Sequence, residues 1–289
     1  MKEKRIHLTI VFLVSLIATG LSQSYTYPVI PDSIKDRQDR ISFMAVHFWD
    51  YANFADSSLL AEPKPFFDYI YLLQSLPEEK ATECIQNGLW SISSQPFGFE
   101  WLMFWLDRYV HNPQSPYYND AFFLQFLGVL LETATDEGQL NELSYYKEMA
   151  QRNPIGDVAE DFSFILKDNT EKKLSEVEAP LLLLIFNSPD CSLCHRLENE
   201  ISNDSLIQQM VTFGQMTIVA ISPNANHEDW LNHVYPKNWI CGFDRDMTIT
   251  TKKLYEIRQF PSIYLLDNNK HVILKEADYE VVVSFLSKY

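Results

Sequence analysis

Over residues 32–150 the apolar positions recur at helical spacing, and beyond Asn153 the pattern changes to short apolar runs bounded by turn residues. The change of period predicts an all-helical part followed by an alternating helix and strand part. In the first, Ile34, Ile41, Met44, Ala45, Phe48, Trp49 and Ala52 share one face, with Asp32 or Ser33 as the cap. A second apolar segment runs from Phe66 to Leu76. Ser75-Leu76-Pro77-Glu78-Glu79 then opens a third helix with proline and carboxylates in its first turn, and there Ala81, Cys84, Ile85, Leu89 and Ile92 line up. Further helices are expected over 97–110, 120–134 and 137–149. The proline-containing break at 111–116 separates the first two of these.

The second part begins after a boundary at 151–154. Asp168-Asn169 is expected to turn a hairpin between 162–167 and 172–174, with Ser175 capping a short helix. The six-residue apolar run 181–186 has the continuity of a strand buried on both faces, and Asn187-Ser188-Pro189-Asp190 is a turn. A helix over 192–213 carries Leu197, Ile201, Leu206 and Ile207 inward. A strand over 216–222, a helix containing Trp230 and Leu231, and Trp239-Ile240-Cys241-Gly242-Phe243 follow. Pro261 stands at the start of another apolar strand, Asp267-Asn268-Asn269 turns into Val272-Ile273-Leu274, and a helix over 279–286 ends the chain. Such alternation suits an α/β core with parallel strands.

A length of 289 residues accommodates two domains. Of the 40 aromatic residues, 23 fall in 32–150, enough to fill the core of a small helical domain, and we read them as core rather than as the lining of a groove. Residues 1–22 combine Lys2, Lys4 and Arg5 with an apolar stretch and the small residues Ala18, Gly20 and Ser22. That is the make-up of a signal peptide, too short for a comfortable membrane span, and it implies a periplasmic or otherwise extracytoplasmic protein. No cysteine follows it to suggest a lipoprotein anchor. The segment carries three positive charges and one negative, so its removal takes the net charge from −16 to −18. So acidic a chain, without a Lys/Arg cluster, is a poor partner for nucleic acid or anionic membrane surfaces.

The candidate chemistry lies just after the buried strand, at Cys191-Ser192-Leu193-Cys194. With Cys191 at the helix N-cap and Cys194 one turn in, unpaired backbone N–H groups and the helix dipole favour a thiolate at Cys191, the species that attacks disulfides. Three other readings compete. Because His195 follows, the string also matches c-type haem attachment; a zinc site needs a second ligand pair that the sequence lacks; and a secreted chain can use a structural disulfide. Cys84 and Cys241, one in each part, are expected as buried free thiols. His47 and His111 stand isolated, as surface or satisfied core histidines.

Two motifs in order, the C-x-x-C after a buried strand and Ile257-Arg258-Gln259-Phe260-Pro261-Ser262-Ile263-Tyr264-Leu265-Leu266-Asp267 before a hairpin, resemble a thioredoxin-fold domain over 155–289. The run Ile155-Gly156-Asp157-Val158-Ala159-Glu160-Asp161-Phe162 resembles the start of the TlpA/ResA-like group of extracytoplasmic thiol-disulfide oxidoreductases, with Glu160 where that group often has proline. Phe48-Trp49-Asp50-Tyr51 and residues 111–120 resemble a domain of unknown function that precedes thioredoxin-like domains in secreted bacterial proteins. The resemblance implies an N-terminal all-helical domain followed by a thioredoxin-fold domain, a central mixed sheet flanked by helices. It implies a cis bond at Phe260-Pro261 facing the cysteines, Cys191 and Cys194 as catalytic residues, and Phe260 and Pro261 as substrate-binding residues. It also implies protein or peptide thiols and disulfides as partners, a possible membrane electron donor, and no cofactor or metal.

The chain departs from the family pattern in several places. Asp190 replaces the aromatic before the first cysteine, and its charge opposes a thiolate. Ile185 stands where thioredoxin has its buried carboxylate, and Asn199 where the helix proline falls. Glu198 and Glu200 are candidate acid/base groups, each expected as a solvated charge on an exposed helix face. Ser-Leu between the cysteines favours a reductant over an oxidant. A binding protein with a vestigial redox site, using its helical domain to hold a partner, is the non-enzymatic alternative.

Overall fold

The structure, a computed structural model, describes residues 25–56, 59, 61–93, 95 and 97–288. The expected signal peptide at 1–22 lies outside the described residues. The N-terminal part is helical: α1 (Arg37–Val46), α2 (Lys64–Gln74), α3 (Glu78–Ser93), α4 (Gly98–Trp105), α5 (Asp120–Thr133) and α6 (Glu137–Ala150). A π-helical turn, Leu106–Val110, prolongs α4. The rings form the core, as expected. Trp49 is fully buried against Phe48, Phe54, Tyr69 and Trp101. A Cβ at Gly88 would lie 2.6 Å from the Tyr69 hydroxyl, so only glycine lets α3 approach that ring. The first helix starts later than its apolar pattern suggests. Asp36, not Asp32 or Ser33, caps it, its carboxylate accepting from the N–H groups of Gln38 and Asp39, while Ile34 closes a turn on Pro31.

The second part is a seven-stranded mixed sheet of β1 (Ser163–Ile165), β2 (Glu171–Lys173), β3 (Leu181–Phe186), β4 (Met216–Ser222), β5 (Ile240–Phe243), β6 (Ser262–Asp267) and β7 (Val272–Leu274). Their order across the sheet is β2-β1-β5-β4-β3-β6-β7. The central three, β3, β4 and β5, are parallel, and the outer pairings are antiparallel. Leu182, Leu184 and Phe186 of β3 face one apolar cluster with Phe164, Tyr255 and Tyr264. Leu181, Leu183 and Ile185 face another, covered by α7 (Ser192–Asn203), α8 (Ser205–Thr212) and α11 (Tyr279–Leu286). This two-sided burial explains the unbroken apolar run of β3. Two smaller helices, α9 (His227–Asn232) and α10 (Thr248–Thr251), complete the layers.

Two local expectations need correction. The single helix over 192–213 is two helices, because Asp204 turns its carboxylate onto the N–H groups of Leu206 and Ile207 and so caps a new start. Ser175 caps nothing. It lies inside a 3-10 turn, Leu174–Glu176, with its hydroxyl donating to Asp161.

The sheet edges differ. All three residues of β2, Glu171, Lys172 and Lys173, are charged, whereas β7 is apolar and the segment leading out of the helical part is stitched to it. Gly156 N–H donates to Val272 O at 2.8 Å, Val272 N–H to Asp157 O at 2.8 Å, and Ala159 N–H to Lys270 O at 2.9 Å.

Between the two parts lies a buried ionic cluster. His111, 1% exposed and stacked on Phe123, donates from Nδ1 to Asp120 at 2.7 Å and from Nε2 to Glu256 at 2.9 Å. Both ring nitrogens serve carboxylates, so the ring is the imidazolium. Burial opposes that charge, but the Asp120 and Glu256 hydrogen bonds outweigh it and raise the His111 pKa. Lys275 meets Glu256 at 3.0 Å, and Arg258 spans Glu256 at 2.9 Å and Asp107 at 3.2 Å. Burial works against the Glu256 charge too, yet His111, Lys275 and Arg258 hold its carboxyl far below the usual range. His111 is thus a satisfied core histidine, one of the two roles expected of it, but its partner Glu256 is 145 positions away, a pairing that no local pattern reveals.

Candidate functional site

Register brings the two motifs together. In the antiparallel β3–β6 pair Phe186 lies opposite Ser262, so the residues just beyond, the turn carrying Cys191 and the Phe260-Pro261 segment, meet at the same end of the sheet. The Phe260–Pro261 peptide bond is cis. Cys191 is the N-cap of α7 and is half-buried; its sulfur accepts from Cys194 N–H at 3.2 Å and donates to Phe260 O at 3.5 Å. Cys194 is 1% exposed. Burial, reinforced by Cys191 and by the charge of Glu198, pushes its thiol well above the ordinary range. The Asp190 carboxylate accepts from the Ser188 hydroxyl, and His195 donates from Nε2 to Pro189 O at 2.8 Å, which engages the nitrogen that a haem ligand would use.

Behind Cys194 stands a polar cluster that the sequence reading missed. Glu198, four residues on along α7, is buried rather than solvated, and His233 Nε2 donates to its two oxygens at 3.1 Å each. His233 stacks on His195, ring centroids 5.1 Å apart, and meets Tyr235 edge-on. The Tyr235 and Ser222 hydroxyls lie 3.1 Å apart, and Ser222 donates to buried Asn187 at 3.0 Å. One signal for Glu198 was present: it falls on the stripe of Cys194, Leu197 and Ile201, where a carboxylate is out of place. Nothing local marks His233 or Tyr235. Arg196 and Glu200 are exposed.

All four cysteines are free thiols. Cys84 is buried, as expected; Cys241 is only half-buried, because β5 leaves it beside a surface cleft with His233 and Tyr235, although burial still pushes its thiol up to about 12. Among the described residues no three His, Cys, Asp or Glu side chains converge to hold a metal ion, and no helix is long and apolar enough to cross a membrane.

Comparison with known proteins places both halves. A family model described as a domain of unknown function, DUF5106, matches residues 2–153, and a thioredoxin-like domain model matches residues 168–276. No curated protein matches the chain. Among solved structures, a thioredoxin-like protein from Bacteroides caccae is 28% identical over 92% of this chain and 99% of its own, with a TM-score of 0.68. A conserved protein of unknown function from Bacteroides fragilis is 34% identical over 46% of this chain and 98% of its own, TM-score 0.45. The C-terminal domain of another protein from that species is 29% identical over 47% of this chain and 98% of its own, TM-score 0.46.

Proposed function

We propose that this chain, which belongs to the DUF5106 family and closes with a thioredoxin-like domain, is an extracytoplasmic thiol-disulfide oxidoreductase working through Cys191 and Cys194. One observation carries the reading: a half-exposed cysteine sulfur at a helix N-terminus, 3.2 Å from the N–H of a buried second cysteine and 3.5 Å from the carbonyl preceding Pro261. The Cys191 thiolate attacks one sulfur of a substrate disulfide, that S–S bond breaks, and the first substrate thiolate leaves. The Cys194 thiol then gives up its proton and attacks the Cys191 sulfur, and the second substrate thiolate leaves. Two electrons pass to the substrate, and Cys191–Cys194 is left as a disulfide.

The raised affinity of Cys194 for its proton keeps it out of the first step, and a base is needed for the second. Glu198 is that base in this reading. Residues four apart on a helix are neighbours, Glu198 and Cys194 share the buried face, and the Glu198 charge already acts on the thiol. The substrate backbone pairs with the segment before Pro261, whose Ile257, Gln259 and Phe260 N–H groups donate to nothing among the described residues. Ser192 and Leu193 supply no cation to hold a thiolate, which favours the reducing direction, with a membrane dithiol as electron donor. The signal-peptide composition of 1–22 supports the location. Incubating Cys194→Ala with a disulfide-bonded peptide should trap a mixed disulfide at Cys191. Insulin reduction by Cys191→Ala at the wild-type rate would sink the proposal and favour a binding protein with a vestigial site.

A further inference from the structure

The helical domain does more than stand beside the redox site. A cleft of 290 Å³ lies between the two domains, and its lining includes Phe260, the residue whose carbonyl touches the Cys191 sulfur. One wall is α6, through Tyr145 and Met149; the other is the segment before the cis bond, through Ile257, Gln259 and Phe260, with Lys253 between them. This volume lies just below the ~300–1,000 Å³ of small-molecule pockets, the scale of one or two side chains.

The chemistry of the walls narrows what enters. The Lys253 ammonium is committed to Glu148 at 2.6 Å and lies 5.3 Å from the centre of the Tyr145 ring. Arg258 is committed to Glu256 and Asp107. The charges of the cleft are thus satisfied from within the protein. What remains uncommitted is the half-exposed face of Tyr145, the apolar surfaces of Ile257 and Phe260, and the backbone N–H groups of Ile257, Gln259 and Phe260, which have no partner among the described residues. Free backbone suits an extended peptide, and an apolar slot beside it suits a side chain of that peptide.

We propose that α6 of the helical domain reads the substrate: the cleft takes a large apolar or aromatic side chain flanking the reacting cysteine of an extended polypeptide, with Tyr145 as the specificity-determining contact. This rests on the exchange reading above and adds to it a substrate class and a role for the helical domain. The lysine–glutamate pair and its cation–π contact fix the Tyr145 ring at the rim, so the slot is preformed.

The test uses single-turnover reduction by the full-length protein of two synthetic peptides, each carrying a 2-nitro-5-thiobenzoate mixed disulfide on its central cysteine. One has phenylalanines beside that cysteine and the other serines; 5,5′-dithiobis(2-nitrobenzoate) is the small control. Wild type should prefer the phenylalanine peptide. Tyr145→Ala should cut the rate on that peptide alone by about three- to tenfold, the scale of one lost aromatic contact, and Tyr145→Phe should retain it. A wild-type protein without preference, a Tyr145→Ala variant that keeps its preference, or an equal loss on all three substrates would overturn the cleft proposal while leaving the exchange reading standing. Failure of wild type to reduce even the small disulfide would instead remove the exchange reading.

Discussion

The cluster between the domains sets three cations, His111, Arg258 and Lys275, against three anions, Asp107, Asp120 and Glu256. The cluster behind Cys194 holds one carboxylate, Glu198, with His233, Tyr235, Ser222 and Asn187. Both are buried and polar. In the first, each charge has an opposite charge in contact, and taking up or losing a proton breaks a pair. In the second, Glu198 has one histidine donor and lone pairs left to accept from others. Saturated pairing suits docking of two domains, whereas unsaturated pairing suits proton transfer. The comparison predicts that variants of the one alter stability and variants of the other alter rate.

The largest effect tests the rate side. Cys191→Ser should abolish disulfide reduction in an insulin turbidity assay while leaving the urea unfolding midpoint nearly unchanged; a large shift in that midpoint would show that the redox end also serves as a structural anchor. On the stability side, Glu256→Ala removes the carboxylate shared by buried His111 and Lys275 and by Arg258, leaving Asp120 and Asp107 to hold three cations, and should cost about 3–5 kcal/mol in unfolding free energy. Its rate on a small disulfide, per folded molecule, should hold, and a stability change below about 1 kcal/mol would break the comparison.

Glu198→Gln keeps the shape and removes the carboxylate proposed as the base. Resolution of the mixed disulfide should slow by about ten- to a hundredfold, with formation of that intermediate unaffected, as quenched-flow mass spectrometry would resolve. The smallest effect is in pH. Burial raises the Glu276 carboxyl to about 7, despite the Ser262 hydroxyl and the Arg258 N–H that it accepts from, and the His111 pKa is also raised. A group whose folded pKa lies above its unfolded value contributes stability below the unfolded value and loses it as pH rises through the folded one. Stability should therefore fall by about 1 kcal/mol per pH unit from the ordinary carboxylate range up to about 7, as followed by urea titration, and Glu276→Gln should flatten that slope.

The two clusters also mark where sequence reading stopped. The strands and the later helices were legible because their apolar runs leave little choice: β4 and α11 occupy the expected spans 216–222 and 279–286. The cysteine pair and Phe260-Pro261 could be read because each is a local string. His111, by contrast, looked solitary, since its carboxylates come from α5 and from the loop before β6. Glu198 was misjudged because a glutamate on a helix is usually solvated, and the histidine that makes its burial tolerable lies 35 positions away. At α1 the competition was local: Asp32, Ser33 and Asp36 are all good caps, and only the turn at Ile34 decides among them.

The unequal edges of the sheet bear on how such a protein survives in a crowded compartment. An exposed strand edge is a template on which a second chain can grow a fibril. At one end every residue of β2, Glu171, Lys172 and Lys173, carries a charge whose hydration a second strand pairing there would disturb. At the other, the apolar strand Val272–Leu274 has part of its edge taken by backbone from residues 156–159. The connection between the domains thereby acts as a guard strip. Loosening it, by proteolysis near Gly156 for instance, should promote aggregation through β7, which light scattering would detect.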